Sequence, residues 1–411
     1  MTLLFTGILI SYIDRGNLSI AAPVLMREFG FAPARMGVLL SAFFWTYSLF
    51  QIPAGYIVDR YGIKLSYFLG LLLWSIASVA MGLVTGFWQM VALRMVLGFG
   101  EAIAPVASIA YIKRNFSESE QGLPTGIYIG GALVGPAVGT MAGGALIDPL
   151  GWRMLFVVVG LLGFVWLIPW AIWGPPHNAA AQEATRIRNE APPVRWLQAA
   201  ANPLFAAVAL GAFFYSYFWY FILTWVPSYL VQELGYSNIK MGAVLGIPLA
   251  GTALTSLLAG GVADSVIRRT GASALTVRKA FVAGGFLLGC TIIAVAGLTR
   301  GADVLPVFLV SMCGMGFGVS NYWALTHLIA PERLIGRVLG FQNTIAQLAG
   351  VTAPIVTGLL VGQDHRFGTA ILVAGLSPLV AAAAILLWLR PAYIARFHRQ
   401  VEPLVPSAET Q

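Results

Sequence analysis

Apolar stretches long enough to cross a bilayer recur twelve times along this chain, and that repetition limits its fold more than any other feature. A spanning helix needs about 20 mainly apolar residues. Such stretches run over 3–26, 34–58, 65–84, 87–112, 123–147, 152–173, 203–230, 239–264, 277–299, 304–328, 335–361 and 368–390. Charge is scarce to match. Lys and Arg number 24 and Asp and Glu 16 in 411 residues, or 10%. Soluble domains carry about 25%. The hydrophobic share of 58% excludes a disordered chain, and the charge deficit excludes a soluble enzyme. The 46 glycines suit helices that pack closely in lipid. The expected class is an all-α polytopic membrane protein of twelve transmembrane helices.

The first apolar segment runs straight into Asp14-Arg15 and lacks a basic n-region and a small-residue cleavage site. It reads as a spanning helix, not a signal peptide. No short basic tail precedes it, so the natural start is expected to lie upstream. Most connections are short. The exception is 174–202, which is polar and flanked by Pro175-Pro176 and Pro192-Pro193. It divides the chain into a six-helix bundle over 1–174, a central loop over 175–202, a second bundle over 203–390 and a tail over 391–411. Sixteen Lys and Arg fall on the side of the long loop, among them Arg186, Arg188, Arg195 and Arg333, and six on the other. The positive-inside rule then places both termini and the long loop in the cytoplasm. That bias also accounts for the net charge of +8 without nucleic acid. A bacterial inner membrane is the expected location.

The halves echo each other. Gly55-x-x-x-Asp59 closes span 2 and Gly260-x-x-x-Asp264 closes span 8. Gly98-Phe99-Gly100 recurs as Gly316-Phe317-Gly318, Gly122 as Gly340 and Pro136 as Pro354, all at one offset. Parallel six-helix repeats are an architecture of alternating-access transporters, with the site between the halves at the midplane.

The loop after span 2 reads Gly55-Tyr56-Ile57-Val58-Asp59-Arg60-Tyr61-Gly62-Ile63-Lys64. It resembles the signature loop of the major facilitator superfamily. A carboxylate near a helix end, with flanking cations and a turn glycine, can latch one helix to its neighbour in one conformation and release it in another. Gly55, Asp59, Arg60, Gly62 and Lys64 are therefore expected to act as a gate and not to touch substrate. Span 5 carries glycines at 131, 135, 139 and 143 on one helix face, around Pro136. Their plain reading is close helix packing. The Gly-Pro core also resembles a motif of proton-coupled drug antiporters of the same superfamily, which keeps that alternative open.

Four charges lie inside spans: Asp14 and Arg15 in span 1, Arg94 and Glu101 in span 4. Intramembrane charges are costly and are functional candidates by default. Two acids and two bases balance, as burial requires. A static ion-pair network is the bland reading. The sharper one is proton coupling, because a carboxylate that pairs with arginine or takes up a proton links proton to anion.

Tyr12-Ile13-Asp14-Arg15-x-Asn17, Tyr47, and Arg94 with Glu101 are together similar to the anion:cation symporter family, whose bacterial members include proton-coupled galactonate, glucarate and hexuronate transporters. The resemblance covers essentially the whole chain. It implies that Arg15 grips a substrate carboxylate flanked by Tyr12 and Tyr47. It implies that Asp14 and Glu101 carry protons, with Arg94 partnering ionised Glu101. Ser320, Asn321, Trp323 and Asn343 would read hydroxyls or the carbon skeleton. The implied protein is a monomeric proton:sugar-acid symporter that takes an aldonate, aldarate or hexuronate and needs no cofactor or metal.

The aromatic run Phe213–Tyr220 in span 7 departs from the sugar-acid pattern, and equally suits an aromatic acid or a packing stripe. Two pocket arginines argue against cationic drugs. The loop and tail are too short for the signalling domain of a membrane receptor. No zinc-protease, serine-hydrolase or phosphate-loop motif points to an enzyme. Cys290 and Cys313 read as buried inert thiols. His327 reads as interfacial, and His177, His365 and His398 as loop or tail residues.

Overall fold

A computed structural model describes residues 1–117, 120–175, 202–331, 334–362, 364 and 366–401. Most of the loop expected over 175–202, with Arg186, Arg188 and Arg195, lies outside the described residues. So do Arg333, His177, His365 and the tail after residue 401.

Helices follow one another in the order α1 Thr2–Phe29, α2 Pro33–Tyr61, α3 Ile63–Met81, α4 Phe87–Glu101, α5 Ile103–Asn115 and α6 Gly122–Trp173. The second half continues with α7 Pro203–Ser228, α8 Asn238–Thr270, α9 Ala274–Gly289, α10 Leu305–Ile329, α11 Ile335–Val361, α12 Gly368–Trp388 and α13 Pro391–Val401. Among the described residues, ten helices are long and apolar enough to cross a membrane. The difference from twelve has two sources. α6 holds two spans in 52 residues, reversing at Gly151, where φ is +74°. The 28-residue α1 is long enough, but Asp14, Arg15, Arg27 and Glu28 dilute its apolar character. One expected span, 87–112, is broken at Ala102 into α4 and α5.

Glycine sets how closely these helices approach. The stripe at 131, 135, 139 and 143 lies on α1, where added side chains would strike Ile8, Tyr12, Ile13 and Ile20 in turn. That contact fixes the helix carrying Asp14 and Arg15. The internal echo has a packing basis. Gly98 of α4 meets the Phe43 carbonyl of α2, and Gly316 of α10 meets the Thr252 carbonyl of α8. Beside them Thr46 donates to the Met95 carbonyl and Thr252 to the Met312 carbonyl.

The halves meet along α6 with α8 and α2 with α11. Both seams are tightest at the face away from Asp59. Gly144 abuts the Asn238 carbonyl and Gly242, Gly37 abuts the Pro354 carbonyl, and Gly358 abuts the Pro33 carbonyl. Asn238 donates across the seam to Asp148 at 2.6 Å. Backbone-to-backbone approach leaves no room for a Cβ, so that face is sealed in this conformation. Gly144→Val is expected to hold α6 and α8 apart. It should cut uptake at least tenfold while protein yield and unfolding temperature in detergent stay near the parent's. Normal uptake by Gly144→Val would mean that closure does not need this approach.

Candidate functional site

Adjacent residues on a helix point about 100° apart. Asp14 and Arg15 are therefore sent in different directions. Asp14 shares the buried face of α1 with Leu4, Gly7, Ser11 and Leu18 and turns into the first bundle. There its Oδ1 accepts from Ser78 Oγ of α3 at 2.9 Å and from Asn17 Nδ2 at 3.4 Å. Arg15 turns toward the space between the halves. Its Nε donates to Glu101 Oε2 at 2.6 Å, and Ser11 Oγ donates to the same oxygen at 2.7 Å. Tyr12, Phe43 and Tyr47 surround the guanidinium, their ring centroids 4.6, 4.9 and 4.5 Å from its carbon. Such cation–π contacts stabilise a desolvated arginine where water cannot.

The expected Arg94–Glu101 partnership is not what the structure forms. Seven residues along one helix separate these groups by about 10 Å of rise, beyond the reach of i to i+4 pairing. Glu101 pairs across to α1 instead. Arg94 is left with Nε and Nη1 buried and without hydrogen-bond partners. Its guanidinium lies 5.5 Å from the Phe43 centroid, so both arginines face one ring. Glu101 Oε1 is likewise buried without a partner, on the carboxylate whose other oxygen is doubly bonded.

Tyr12, Arg15, Phe43 and Arg94 line one side of a central cavity of about 50 Å³, and Trp219, Tyr220 and Thr224 of α7 line the other. The cavity holds only a few waters. The aromatic run thus divides by helical phase. Tyr217 and Phe218 are core, whereas Trp219 and Tyr220 reach the cavity.

The other residues named from sequence fall elsewhere. Asn321 is a correction. It is fully buried, and its Oδ1 accepts from Arg278, which also holds Asp264 at 2.6 Å. Asn321 therefore belongs to the second half's latch and does not face the central cavity. Ser320 and Trp323 also lie off the cavity lining, with Trp323 packed edge-on to Tyr322. Asn343 sits in a relay between the halves. Tyr220 donates to Gln347, Gln347 approaches Asn343 at 3.5 Å, and Asn343 donates to Gln51 of α2 at 2.8 Å. In the signature loop, Asp59 accepts from Arg114 at the end of α5 at 3.0 Å. Gly62 has φ +84°, and Arg60 donates to Tyr56. The Lys64 carbonyl accepts from Trp170 Nε1. Asp59–Arg114 and Asp264–Arg278 each lie within one half, the first arginine at the end of the fourth span and the second at the start of the ninth. Among the described residues no cluster of His, Cys, Asp and Glu could hold a metal ion.

Sequence reasoning passed over Ser11, Ser78, Phe43, Gln51 and Gln347. Ser11 carried a signal, because it precedes Asp14 by three residues on the same face. The rest are ordinary small, aromatic or amide residues until packing brings them to the charges.

A family model described as Major Facilitator Superfamily matches residues 4–354. A D-galactonate transporter of Escherichia coli O6:H1 is 31% identical over 409 residues, covering 94% of each chain. A hexuronate transporter of Bacillus subtilis is 31% identical over 407 residues, covering 94% of this chain and 93% of its own. The inward-facing, occupied crystal structure of a bacterial homolog to the human lysosomal transporter Spinster has the same fold. Its TM-score is 0.73 at 18% identity, with 98% of this chain and 96% of that chain covered.

The pairing pattern makes a stability prediction. Removing one partner of a buried pair strands the other charge, at a cost of about 3–5 kcal/mol. Arg15→Met strands Glu101 and should lower the unfolding temperature in detergent markedly. Arg94→Met breaks no hydrogen bond, and Asp14, the acid that balances it, keeps its bonds from Ser78 and Asn17, so the loss should be smaller than for Arg15→Met. Equal losses in a thermal melt would contradict the asymmetry.

Proposed function

Since the chain belongs to the major facilitator superfamily, and is a membrane transporter rather than an enzyme, we propose that it imports a small sugar acid together with protons by alternating access. The observation that carries this reading is Arg94, a buried guanidinium with free donors beside a cavity and one ring away from a second, carboxylate-bound arginine. Such a site attracts an anion. The galactonate and hexuronate carriers among its relatives support an aldonate, aldarate or hexuronate as that anion.

The proposed cycle assigns roles by pairing. Arg94 takes the substrate carboxylate first, because its donors are unused. Ionised Glu101 holds Arg15 in the empty carrier. A proton on Glu101 releases Arg15 to join Arg94 around the incoming anion. Asp14, held by Ser78 and Asn17, balances Arg94 from within the bundle and is a second proton carrier. Tyr12 and Tyr47 steady Arg15. Trp219 and Tyr220 offer a flat face to the carbon skeleton, and the amides Asn343 and Gln347 relay substrate contact to Gln51 and so to the other half. The central cavity must widen to hold a six-carbon acid. Protonating Glu101 takes the carboxylate away from buried Arg15, and the substrate anion offsets that cost, so proton and anion move together. Asp59 and Asp264, with their arginines, would latch the cytoplasmic ends of the bundles. Both termini lie in the cytoplasm, the host membrane is a bacterial inner membrane, and the carrier is a monomer.

A second reading rests on the lining. Phe43, Phe44, Trp219 and Tyr220 make the cavity wall more aromatic than a polyol requires. A flat aromatic carboxylate would gain stacking there. Reconstitution into liposomes with an internal pH dye decides between them. Lumenal acidification on adding a sugar acid, absent with its neutral sugar, establishes symport and its substrate class. Acidification only with benzoate-like acids selects the aromatic reading. Alkalinisation with lipophilic cations would overturn both. Glu101→Gln is expected to bind and exchange substrate yet lose uphill accumulation. Retained accumulation by Glu101→Gln would remove Glu101 as the coupling group.

A further inference from the structure

A second cavity, of about 610 Å³, lies between the halves at the sealed face, directly over the Pro33 seam. Arg27 enters it from the end of α1 and Arg300 from the connection between α9 and α10. The rest of its wall is largely apolar: Pro23, Met26, Phe31 and Val231. We propose that this vestibule is an outer capture site for a small hydroxycarboxylate, held by Arg27 and Arg300 with Gln232 reading an adjacent hydroxyl; the inference rests on the anion-symporter reading above.

Three observations support it. Neither arginine has a salt-bridge partner among the described residues, and no acidic side chain lines the cavity. The nearby acids are committed elsewhere. Glu28 accepts from Arg153 and Trp152, Glu233 from the Phe367 amide, and Asp303 from the Leu305 amide. Second, Gln232 lines the vestibule with its Oε1 buried and without a donor. It sits in a single π-turn, Tyr229–Glu233, at the end of α7. Such turns are rare and cluster at functional sites. A hydroxyl can satisfy that oxygen. Third, the backbone that carries Arg300 is tied down at the cavity mouth, although its side chain is exposed. Its side chain runs along Gly235, and the Gly301 amide donates to the Leu234 carbonyl at 3.2 Å, tying the loop to α7.

Two exposed, unneutralised cations from opposite halves, beside a largely apolar wall, attract anions and raise their local concentration. They also repel each other across the seam. An anion between them favours the sealed face. Once it passes inward the repulsion returns and favours reopening. A carboxylate would thus be gathered at the mouth before Arg94 meets it in the centre.

Uptake kinetics of a sugar acid in liposomes test this across ionic strengths. Arg27→Gln and Arg300→Gln should each raise KM about threefold, and the double variant on the order of tenfold, with maximal rate retained and the salt dependence of KM flattened. Lys240→Gln is the control. Lys240 is a cation on the same face, seated on the Tyr236 ring outside the cavity, and its loss should leave KM unchanged. Gln232→Leu should raise KM for a 2-hydroxy acid but not for its deoxy analogue. The site is overturned if the double variant keeps the parent's KM and salt dependence, or if Lys240→Gln shifts KM as much as Arg27→Gln. A parent protein that carries no carboxylate at all would instead bring down the symporter reading, and this inference with it.

Discussion

The buried polar groups at the centre of the first bundle gather around one ion pair, Arg15 with Glu101. Neither group is affordable alone in a hydrocarbon-like interior, and the pair becomes tolerable because it is well furnished. Ser11 donates to the carboxylate and three aromatic rings enclose the guanidinium. Those requirements explain features that otherwise look unrelated. The glycine stripe of α6 brings α1 close enough for Ser11 and Arg15 to reach α4. Gly98 brings α2 onto α4, so that Phe43 can touch both arginines. The packing of four helices is the supporting frame of one charge pair.

That pair leaves Arg94 over. A buried guanidinium without a hydrogen-bond partner is a cost the fold does not need for stability, since a well-packed apolar residue would serve the bundle better. Its persistence is intelligible as stored attraction for an anion. The same logic applies to Glu101 Oε1, a buried acceptor with no donor. One site is short of an anion and the other short of a proton, a few residues apart on the same helix. Filling either changes the terms for the other, which is the physical content of coupling.

The all-α membrane fold, the signature loop and the four intramembrane charges are legible in run length and spacing. Partner choice did not follow. Arg94 and Glu101 share a helix face, and this suggested a pair, but side chains seven residues apart cannot meet along an axis; the partner had to come from another helix. Ser320, Asn321, Tyr322 and Trp323 illustrate a second limit. Four consecutive residues point in four directions. Without the helix's rotation, nothing in the string says that Asn321 turns to Arg278 and away from the cavity. The two helices of α6 were legible as spans on either side of the Gly151 kink.

Motion between the halves is constrained by where they touch. The sealed face is closed by glycines against backbone, and among the described residues Asn238–Asp148 is its side-chain hydrogen bond. Dispersion contacts of that kind are strong when mated and lose about a quarter to a half of their strength over a gap of roughly 0.5–1 Å. They behave as a switch, not a spring. Toward the middle, the contact changes character: Tyr220, Gln347, Asn343 and Gln51 join the halves through side-chain hydrogen bonds that end at the cavity wall. A bound molecule that draws the Tyr220 hydroxyl away from Gln347 loosens this relay without touching the glycine seam. On the proposed reading, substrate in the centre would act on the polar link, and charge at the vestibule would act on the apolar one. Two contacts of different physics, addressed from different sites, allow one face to open while the other stays shut.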